Sequence, residues 1–383
     1  MREAHTWDVF CRVVDHFGDA GVCWRLARQL VSEHRAHVRL WIDDLQSLMR
    51  LHPGFHALEQ QRVDDVDVYR WGERFTHVQP GDIVVEAFGC GLPDEYVSAM
   101  AQGRRRPVWI VLEYLSAESW VVEHHGRPSP HPRLPLERYF FFPGFVPGTG
   151  GVLREADLFE RRDRYDVAQR DVFWRSLTFE PPAPDALTVS IYAYEHAPLA
   201  DLLHCWERGE RQVVVAVPEA PIWRLVLQHF GTVEAPSNRA LARGALEVRL
   251  LPFVPQARYD ELLWACDCNF VRGEDSFVRA QWATHPFVWH VYPQAEHAHW
   301  RKLEAFLTLY AQGLSPRACE AAGNFMRVWN QSEGPEVTIA SAWQAFSAEL
   351  DVLRHWGREW AGRIGDVGSL TANLARFCLG KLK

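Results

Sequence analysis

The fold is decided by residues 7–30, which read WDVFCRVVDHFGDAGVCWRLARQL. Residues 7–14 form a short apolar run that indicates a β-strand. A loop with two Asp residues and a Gly follows at residues 15–19, and a helical pattern runs from about residue 20 to residue 33. We therefore expect a strand, a turn and a helix in succession, which is the repeating unit of α/β proteins.

Further apolar runs in the first half have the same character. They are continuous rather than alternating and are bounded by Gly or Pro, which is typical of strands buried on both faces of a parallel sheet. These predicted strands are residues 38–42, 82–88, 107–112 and 139–142.

A second set of strand and helix patterns follows a polar stretch at residues 148–184. Single cores stop growing near ~250–300 residues, so a chain of 383 residues indicates two domains. We place them at residues 1–180 and 185–383, and we expect the helical tail, from about residue 343, to pack back on the first domain. The predicted strands of the second domain are residues 187–192, 212–218, 246–251, 268–271 and 287–291.

The composition restricts the class of protein. The formal net charge is -8, whereas general nucleic-acid binders are usually basic because they neutralise phosphates. No apolar run approaches the ~20 residues of a membrane-spanning helix, and no signal peptide precedes the first strand. We expect a soluble, cytoplasmic protein without direct contact to nucleic acid or membrane.

Cysteines and histidines give no metal-binding pattern. Most of the eight cysteines lie in apolar runs, so we expect buried free thiols. Cys266 and Cys268 form a close pair, but no second pair stands at zinc-ligand spacing. His290 lies within an apolar run, which favours a satisfied core group rather than a ligand. We therefore expect no metal site.

The loop after the first strand is the first candidate site. Ligands of open α/β sheets bind at the carboxyl ends of strands, and Gly18 and Gly21 let the backbone approach a ligand. The segment has no dinucleotide or P-loop pattern. Asp15 and Asp19 could act as a general base or orient a cationic acceptor. Alternatively, Asp19 caps the helix.

Residues 269–282, NFVRGEDSFVRAQW, again read as strand, Gly turn and helix start. The N–H groups at a helix N-terminus favour an anion such as pyrophosphate, and Ser276 could add a hydroxyl donor. Glu274 and Asp275 would repel phosphate, so we expect them to meet sugar hydroxyls or to cap the helix. If Asp275 or Ser276 served only as an N-cap of the helix, the presence of Arg272 and Glu274 would have no explanation.

Two other segments carry weaker signals. Phe253 and Gln256 follow a predicted strand and could stack on and read a pyrimidine base, although aromatic residues more often belong to the core. Residues 112–116 and the Pro-rich residues 126–135 could line an acceptor cleft or simply connect strands.

The sequence resembles the EarP family, bacterial enzymes that attach rhamnose to an arginine of elongation factor P. The resemblance rests on residues 7–30, on residues 84–93 (VVEAFGCGLP), and on the long string LPFVPQARYDELLWACDCNFVRGEDSFVRAQWA at residues 251–283. These strings occur in the family's order along most of the chain.

The resemblance implies a GT-B architecture, two Rossmann-like doubly wound domains that face each other across a cleft. It also implies an inverting glycosyltransferase that uses dTDP-β-L-rhamnose as co-substrate, without cofactor or metal. The acceptor would be an arginine guanidinium of elongation factor P, which the modification activates to rescue ribosomes stalled at polyproline. The C-terminal domain would bind the donor, and the N-terminal domain would meet the protein acceptor.

The resemblance also implies roles for residues. Asp19 would be the catalytic base, with Asp15 and Glu274 as further catalytic residues, and Phe17, Gly18 and Asp15 would lie on the acceptor side. The donor residues would be Tyr192, Tyr194, Phe253, Gln256, Arg272, Glu274, Asp275 and Ser276.

Two alternatives stay open at this point. One is a nucleotide-sugar transferase or epimerase that acts on a small molecule. The other is a non-catalytic protein-binding module, against which the intact RGEDS string at residues 272–276 argues.

Overall fold

The structure is a computed structural model that describes residues 5–15, 17–72, 75, 78–332 and 337–382. It confirms the predicted α/β class. The chain divides into two compact units. Unit 1 comprises Met1–Ala156 and Arg363–Lys383, and unit 2 comprises Asp157–Gly362.

A largely parallel sheet forms the centre of unit 1. Its strands are β1 (Thr6–Cys11), β2 (His37–Ile42), β3 (Gln60–Val63), β4 (Val66–Arg70), β5 (Ile83–Ala87), β6 (Val108–Leu112), β7 (Pro128–Pro130) and β8 (Glu137–Phe141). Their order is β3-β4-β2-β1-β5-β6-β8-β7. Only the edge strands β3 and β7 run antiparallel to their neighbours among the described strands. The chain first adds strands on one side of β1 and then crosses to β5 on the other, so the strand order reverses there.

The first helices of unit 1 follow its strands. They are α1 (Phe17–His34), α2 (Leu45–Leu51), α3 (Asp94–Gln102) and α4 (Trp120–His124). The carboxylate of Asp8, on β1, is fully buried and connects β1 to β2, to the loop before β5 and to α3. It accepts two hydrogen bonds of 2.6 Å from Arg39, one from Gly81 N at 2.7 Å and one from the Tyr96 hydroxyl.

Unit 2 repeats the arrangement with a smaller sheet. Its strands are β9 (Leu187–Ile191), β10 (Val213–Pro218), β11 (Ala240–Arg243), β12 (Leu246–Leu251), β13 (Cys268–Arg272) and β14 (Phe287–His290). Their order is β11-β12-β10-β9-β13-β14, which reverses between β9 and β13. Only β11 is antiparallel among them in the described part of the chain.

Ten helices are described in unit 2, the last of which continues into unit 1. They are α5 (Leu158–Arg164), α6 (Val167–Ser176), α7 (Leu199–Glu207), α8 (Trp223–His229), α9 (Gln256–Ala265), α10 (Asp275–Ala283), α11 (Ala298–Tyr310), α12 (Pro316–Trp329), α13 (Ile339–Ala348) and α14 (Leu350–Asp366). Within the described ranges, no helix combines the length and the apolar character that crossing a membrane requires.

The boundary between the units differs from the expected one near residue 180. The polar residues 148–184 contain α5 and α6, which belong to unit 2. Phe173 and Trp174 of α6 are buried in one cluster with Leu251 and Leu262 of that unit. Most residues of these two short helices are polar, so the sequence pattern did not predict that a few apolar residues pack them against unit 2.

The last helix, α15 (Leu370–Lys381), packs on α1 of unit 1. The Thr371 hydroxyl donates to Gln29 Oε1 at 2.5 Å, and both side chains are buried. Asn373 Nδ2 donates to the carbonyl of Gly150 at 3.1 Å. Unit 1 is therefore completed by the final residues of the chain.

A buried ion pair holds α9 against α10 in unit 2. Arg279 donates to both oxygens of Asp260 at 2.7 and 2.6 Å, and the two residues are 1% and 4% exposed. Such a pair contributes little over an apolar pair, but loss of Arg279 would leave the buried Asp260 carboxylate with Arg161 Nη1 at 3.8 Å, beyond hydrogen-bond distance.

We expect Arg279→Met to lower the free energy of unfolding by about 3–5 kcal/mol because Asp260 keeps its buried charge. The double variant Arg279→Met with Asp260→Leu should regain most of this loss. Urea unfolding of the wild-type protein and both variants measures the effect, and equal stability of the single and double variants would contradict it.

Candidate active site

Both groups of candidate residues lie at the carboxyl ends of central strands. In unit 1, Asp15 and Asp19 follow β1, beside the reversal toward β5. In unit 2, Tyr192 follows β9 and Arg272 ends β13, where the order also reverses. Ligands of open α/β sheets bind at such reversal points. Each unit therefore places its candidate residues where its own topology favours a ligand.

The Asp19 side chain closes the turn between β1 and α1. Asp19 is the third residue of α1 and is 2% exposed. Its Oδ2 accepts hydrogen bonds from the backbone N–H groups of Val14 at 2.8 Å and Asp15 at 3.0 Å. Asp19 thus lies inside the helix rather than at its N-cap, and it holds the preceding loop in place.

Tyr114 supplies a further partner of Asp19. Its hydroxyl donates to Asp19 Oδ1 at 3.2 Å, and its ring stacks on Phe88 with 4.3 Å between centroids. An ionised carboxylate has about four acceptor positions. The three hydrogen bonds therefore leave Asp19 able to accept one more donor. The sequence drew attention to residues 112–116 but gave no sign of this contact.

Asp15 and Gly18 shape the rest of the loop. Gly18 N donates to the Asp15 carbonyl at 2.7 Å, and a Cβ at position 18 would lie 2.9 Å from Asp15 Oδ2. Any larger residue would therefore push the Asp15 carboxylate out of place. Phe17 is half-buried beside them, whereas His16 lies outside the described residues.

Ser276 closes the corresponding turn of unit 2. Its Oγ accepts from Arg272 N at 3.0 Å and donates to Arg272 O at 2.5 Å. Gly273, between strand and helix, has a φ of +59°, a conformation that glycine adopts at little cost. The hydrogen of the Ser276 hydroxyl is thus used to shape the turn that leads into the N-terminus of α10.

Arg272 places a buried positive charge in this turn. The guanidinium carbon lies 4.4 Å from the ring centroid of Tyr192 and 4.6 Å from that of Tyr194. Its Nη2 donates to the Tyr192 hydroxyl at 3.0 Å. Aromatic faces attract a cation and hold it in a defined orientation. The N-terminus of α10 begins three residues after Arg272, and both the cation and the helix N-terminus favour an anion.

His290 forms a hydrogen bond with the backbone of Tyr194. His290 Nδ1 accepts from Tyr194 N at 3.3 Å, and its Nε2 lies 2.9 Å from His196 Nε2. Burial lowers the pKa of His290 well below its ordinary value, and the nearby His196 and Arg272 lower it further. A neutral His290 adds no charge to the cluster. The sequence predicted a satisfied core group here, but not its contact with Tyr194.

The remaining donor candidates come from two neighbouring turns. Gln256, the first residue of α9, donates from Nε2 to Asp275 Oδ2 at 3.2 Å. Glu274 occupies the N-cap position of α10 and is half-buried. Phe253 is half-buried in the loop between β12 and α9. The structure therefore brings the start of α9 to the start of α10.

The chain is similar to a family of known enzymes over nearly its whole length. The family model described as Elongation-Factor P (EF-P) rhamnosyltransferase EarP matches residues 7–379. A protein-arginine rhamnosyltransferase of Pseudomonas putida is 44% identical over 375 residues, which cover 97% of this chain and 98% of that protein. The corresponding protein of Pseudomonas aeruginosa is 42% identical, with the same coverage.

Solved structures agree with this similarity. A structure described as the basis of EarP-mediated arginine glycosylation of translation elongation factor EF-P has a TM-score of 0.68 and 31% identity, covering 98% of this chain and 99% of that one. A glycosyltransferase from Rickettsia africae has a TM-score of 0.51 at 8% identity, covering 100% of this chain and 98% of that one, and supports the fold alone. The expected GT-B architecture is confirmed.

We expect Asp19→Ala to lower the free energy of unfolding by about 2–4 kcal/mol, because two backbone N–H groups lose their buried acceptor. Asp19→Asn keeps an oxygen for these groups and an amide for Tyr114, so its loss should stay within about 1 kcal/mol. Urea unfolding of both variants measures the difference, and equal losses would contradict the assigned hydrogen bonds.

Proposed function

The chain belongs to the EarP family of elongation factor P rhamnosyltransferases, and we propose that it transfers rhamnose from dTDP-β-L-rhamnose to one arginine of elongation factor P, with inversion. The modified factor would then rescue ribosomes stalled at polyproline. The observation that best supports the donor assignment is the buried Arg272 guanidinium, which Tyr192 and Tyr194 hold at the turn that leads into α10.

Arg272 and the N-terminus of α10 suit the diphosphate group of the donor. When the bond between the sugar carbon and the diphosphate oxygen breaks, negative charge develops on that oxygen. Arg272 and the N–H groups at the start of α10 are fixed in advance, so they stabilise this charge without reorganising. Such preorganised donors can replace a metal ion, and we propose that none takes part in transfer.

The other donor residues fit the neutral parts of the nucleotide sugar. Phe253 offers an aromatic face and Gln256 an amide, the groups that stack on and read a pyrimidine base. Glu274 and Asp275 carry negative charge, so we assign them to hydroxyl groups of the sugar or ribose rather than to phosphate. In this scheme Glu274 contributes to catalysis by orienting the sugar.

The acceptor chemistry requires a carboxylate. A free guanidinium keeps its proton in water because its pKa is above ~12, so its nitrogen is a poor nucleophile. Asp19 has one acceptor position left after its three hydrogen bonds and can pair with the incoming guanidinium. As the new bond forms between nitrogen and the sugar carbon, Asp19 takes the proton. Asp15 would help to orient the guanidinium.

Inversion follows from a single displacement. The arginine nitrogen attacks the sugar carbon on the face opposite the departing dTDP, and the bonding electrons leave with the diphosphate oxygen. This step requires no covalent nucleophile on the enzyme.

We expect Asp19→Asn to reduce transfer by about 10²–10⁴-fold, because the amide cannot accept the proton. Affinity for dTDP should remain unchanged, since the donor residues belong to unit 2. Intact-mass analysis of elongation factor P after incubation with dTDP-rhamnose measures transfer, and calorimetry measures dTDP binding.

Asp43→Asn is the matched control for Asp19→Asn. Asp43 Oδ1 also accepts from a backbone N–H after β1, that of Val13 at 2.9 Å, but Asp43 has no assigned role in transfer. This control should keep full turnover. Normal turnover by the Asp19→Asn variant would remove Asp19 as the base. Equal sugar consumption with and without elongation factor P would instead favour a small-molecule acceptor.

We expect Ser276→Ala to weaken dTDP binding about tenfold, because the Arg272 backbone loses the hydrogen bonds that shape the anion-binding turn. Ser190→Ala is the control, since Ser190 is a buried serine of the same unit whose hydroxyl donates to Asn269 at 2.6 Å. Calorimetric titration with dTDP compares the two variants, and equal affinities would remove Ser276 from the site.

A further inference from the structure

We propose that His204, Glu207 and His229 of unit 2 form a binding site for a zinc-like divalent transition-metal ion, separate from the transfer chemistry. His204 and Glu207 lie three residues apart on α7, and His229 is the last residue of α8. One ligand atom from each of the three side chains lies within 4.8 Å of the others.

His229 is the unusual member of the group. Its side chain is fully buried, and neither ring nitrogen has a hydrogen-bond partner in the described part of the chain. Its Nε2 is 3.1 Å from Glu207 Oε2, but the two atoms lack the alignment of a hydrogen bond. A buried imidazole without partners is costly, and a metal ion would satisfy both this nitrogen and the carboxylate oxygen.

His204 is already in the form that binds metals. Its Nδ1 lies 2.8 Å from the carbonyl of Ala200, and since a carbonyl cannot donate, Nδ1 carries the proton. The lone pair therefore resides on Nε2, the atom that remains for a metal. Metal-binding histidines commonly donate their other N–H to such a carbonyl, which fixes the ring.

The ligand types and distances suit a small transition-metal ion, which would replace Arg243 Nη1, 3.8 Å away, as the partner of Glu207 Oε2. Two imidazoles and one carboxylate favour zinc over calcium or magnesium, which prefer oxygen ligands. A tetrahedral zinc ion with bonds of about 2.0 Å separates its ligand atoms by roughly 3.3 Å. His229 Nε2 and Glu207 Oε2 already have this spacing, at 3.1 Å, and the ligand atom of His204 lies within 4.8 Å of both.

The topology separates this group from the donor site. The carboxyl ends of β9 and β13 carry Tyr192 and Arg272. The end of α7 leads into the start of β10. Arg243, which pairs with Leu246 at the start of β12, donates from Nη1 to the carbonyl of His229 at 3.2 Å. Both helix ends therefore lie at the opposite edge of the sheet. A metal ion here would join α7 to α8 and stabilise unit 2 without touching the donor.

The test is zinc titration of the full chain after chelator treatment and dialysis. Calorimetry with ZnCl₂ at pH 7.5 should give one saturable site per chain, and zinc should raise the melting temperature. His204→Ala should weaken this binding at least about tenfold, since losing even an outer partner of a metal ligand costs that much. Because His204 is exposed, the variant should fold.

His355→Ala is the matched control. His355 pairs with Glu359 one helical turn away but belongs to no group of three ligands in the described chain. This control should bind zinc as the wild-type protein does. Absence of a saturable site, or equal zinc affinity of the His204→Ala variant and the wild type, would overturn the proposal. Loss of transfer by the chelator-treated wild type would overturn the separation from catalysis.

Discussion

The polar backbone groups of two strand-to-helix turns must be satisfied where the chain leaves β1 and β13. The two units solve this in the same way, because a helix side chain reaches back four residues to a backbone N–H. Asp19 binds Asp15 N, and Ser276 binds Arg272 N. Buried polar groups without partners are costly, so these contacts fix both loops. The residues assigned to proton transfer and to anion binding are therefore held by the same device that shapes each turn.

Much of the fold could be predicted because buried parallel strands are continuous apolar runs. The residues of β6 and β12 illustrate this, since the apolar runs at residues 107–112 and 246–251 nearly coincide with them. The strands β3, β7 and β11 were missed because they are short, lie at a sheet edge and pair antiparallel, and they contain no long apolar run. The parallel strand β4 was missed because only alternate residues of it are buried. The domain boundary within residues 148–184 was misplaced for a related reason. Most residues of α6 are polar, and only Phe173 and Trp174 of this helix are buried in the core of unit 2.

The candidate site could be predicted only where its residues are local in sequence. Asp19 and Arg272 lie where a strand is followed by a helix, and this position alone predicts them as candidate site residues. Their supporting contacts come from distant strands. Tyr114 lies 95 residues after Asp19, and the Tyr194 contact with His290 spans 96 residues. No local pattern records such pairings, because they depend on which strands become neighbours.

The return of α15 to the first unit has a consequence for biosynthesis. A ribosome releases all of Asp157–Gly362 before the residues that α15 contributes. At about 5–20 residues per second, this interval lasts roughly 10–40 s. During this interval, Gln29 on α1 lacks the hydrogen bond that it later accepts from Thr371. The second unit is continuous and can fold as it emerges, whereas the face of α1 that α15 covers stays uncovered until the last residues are synthesised.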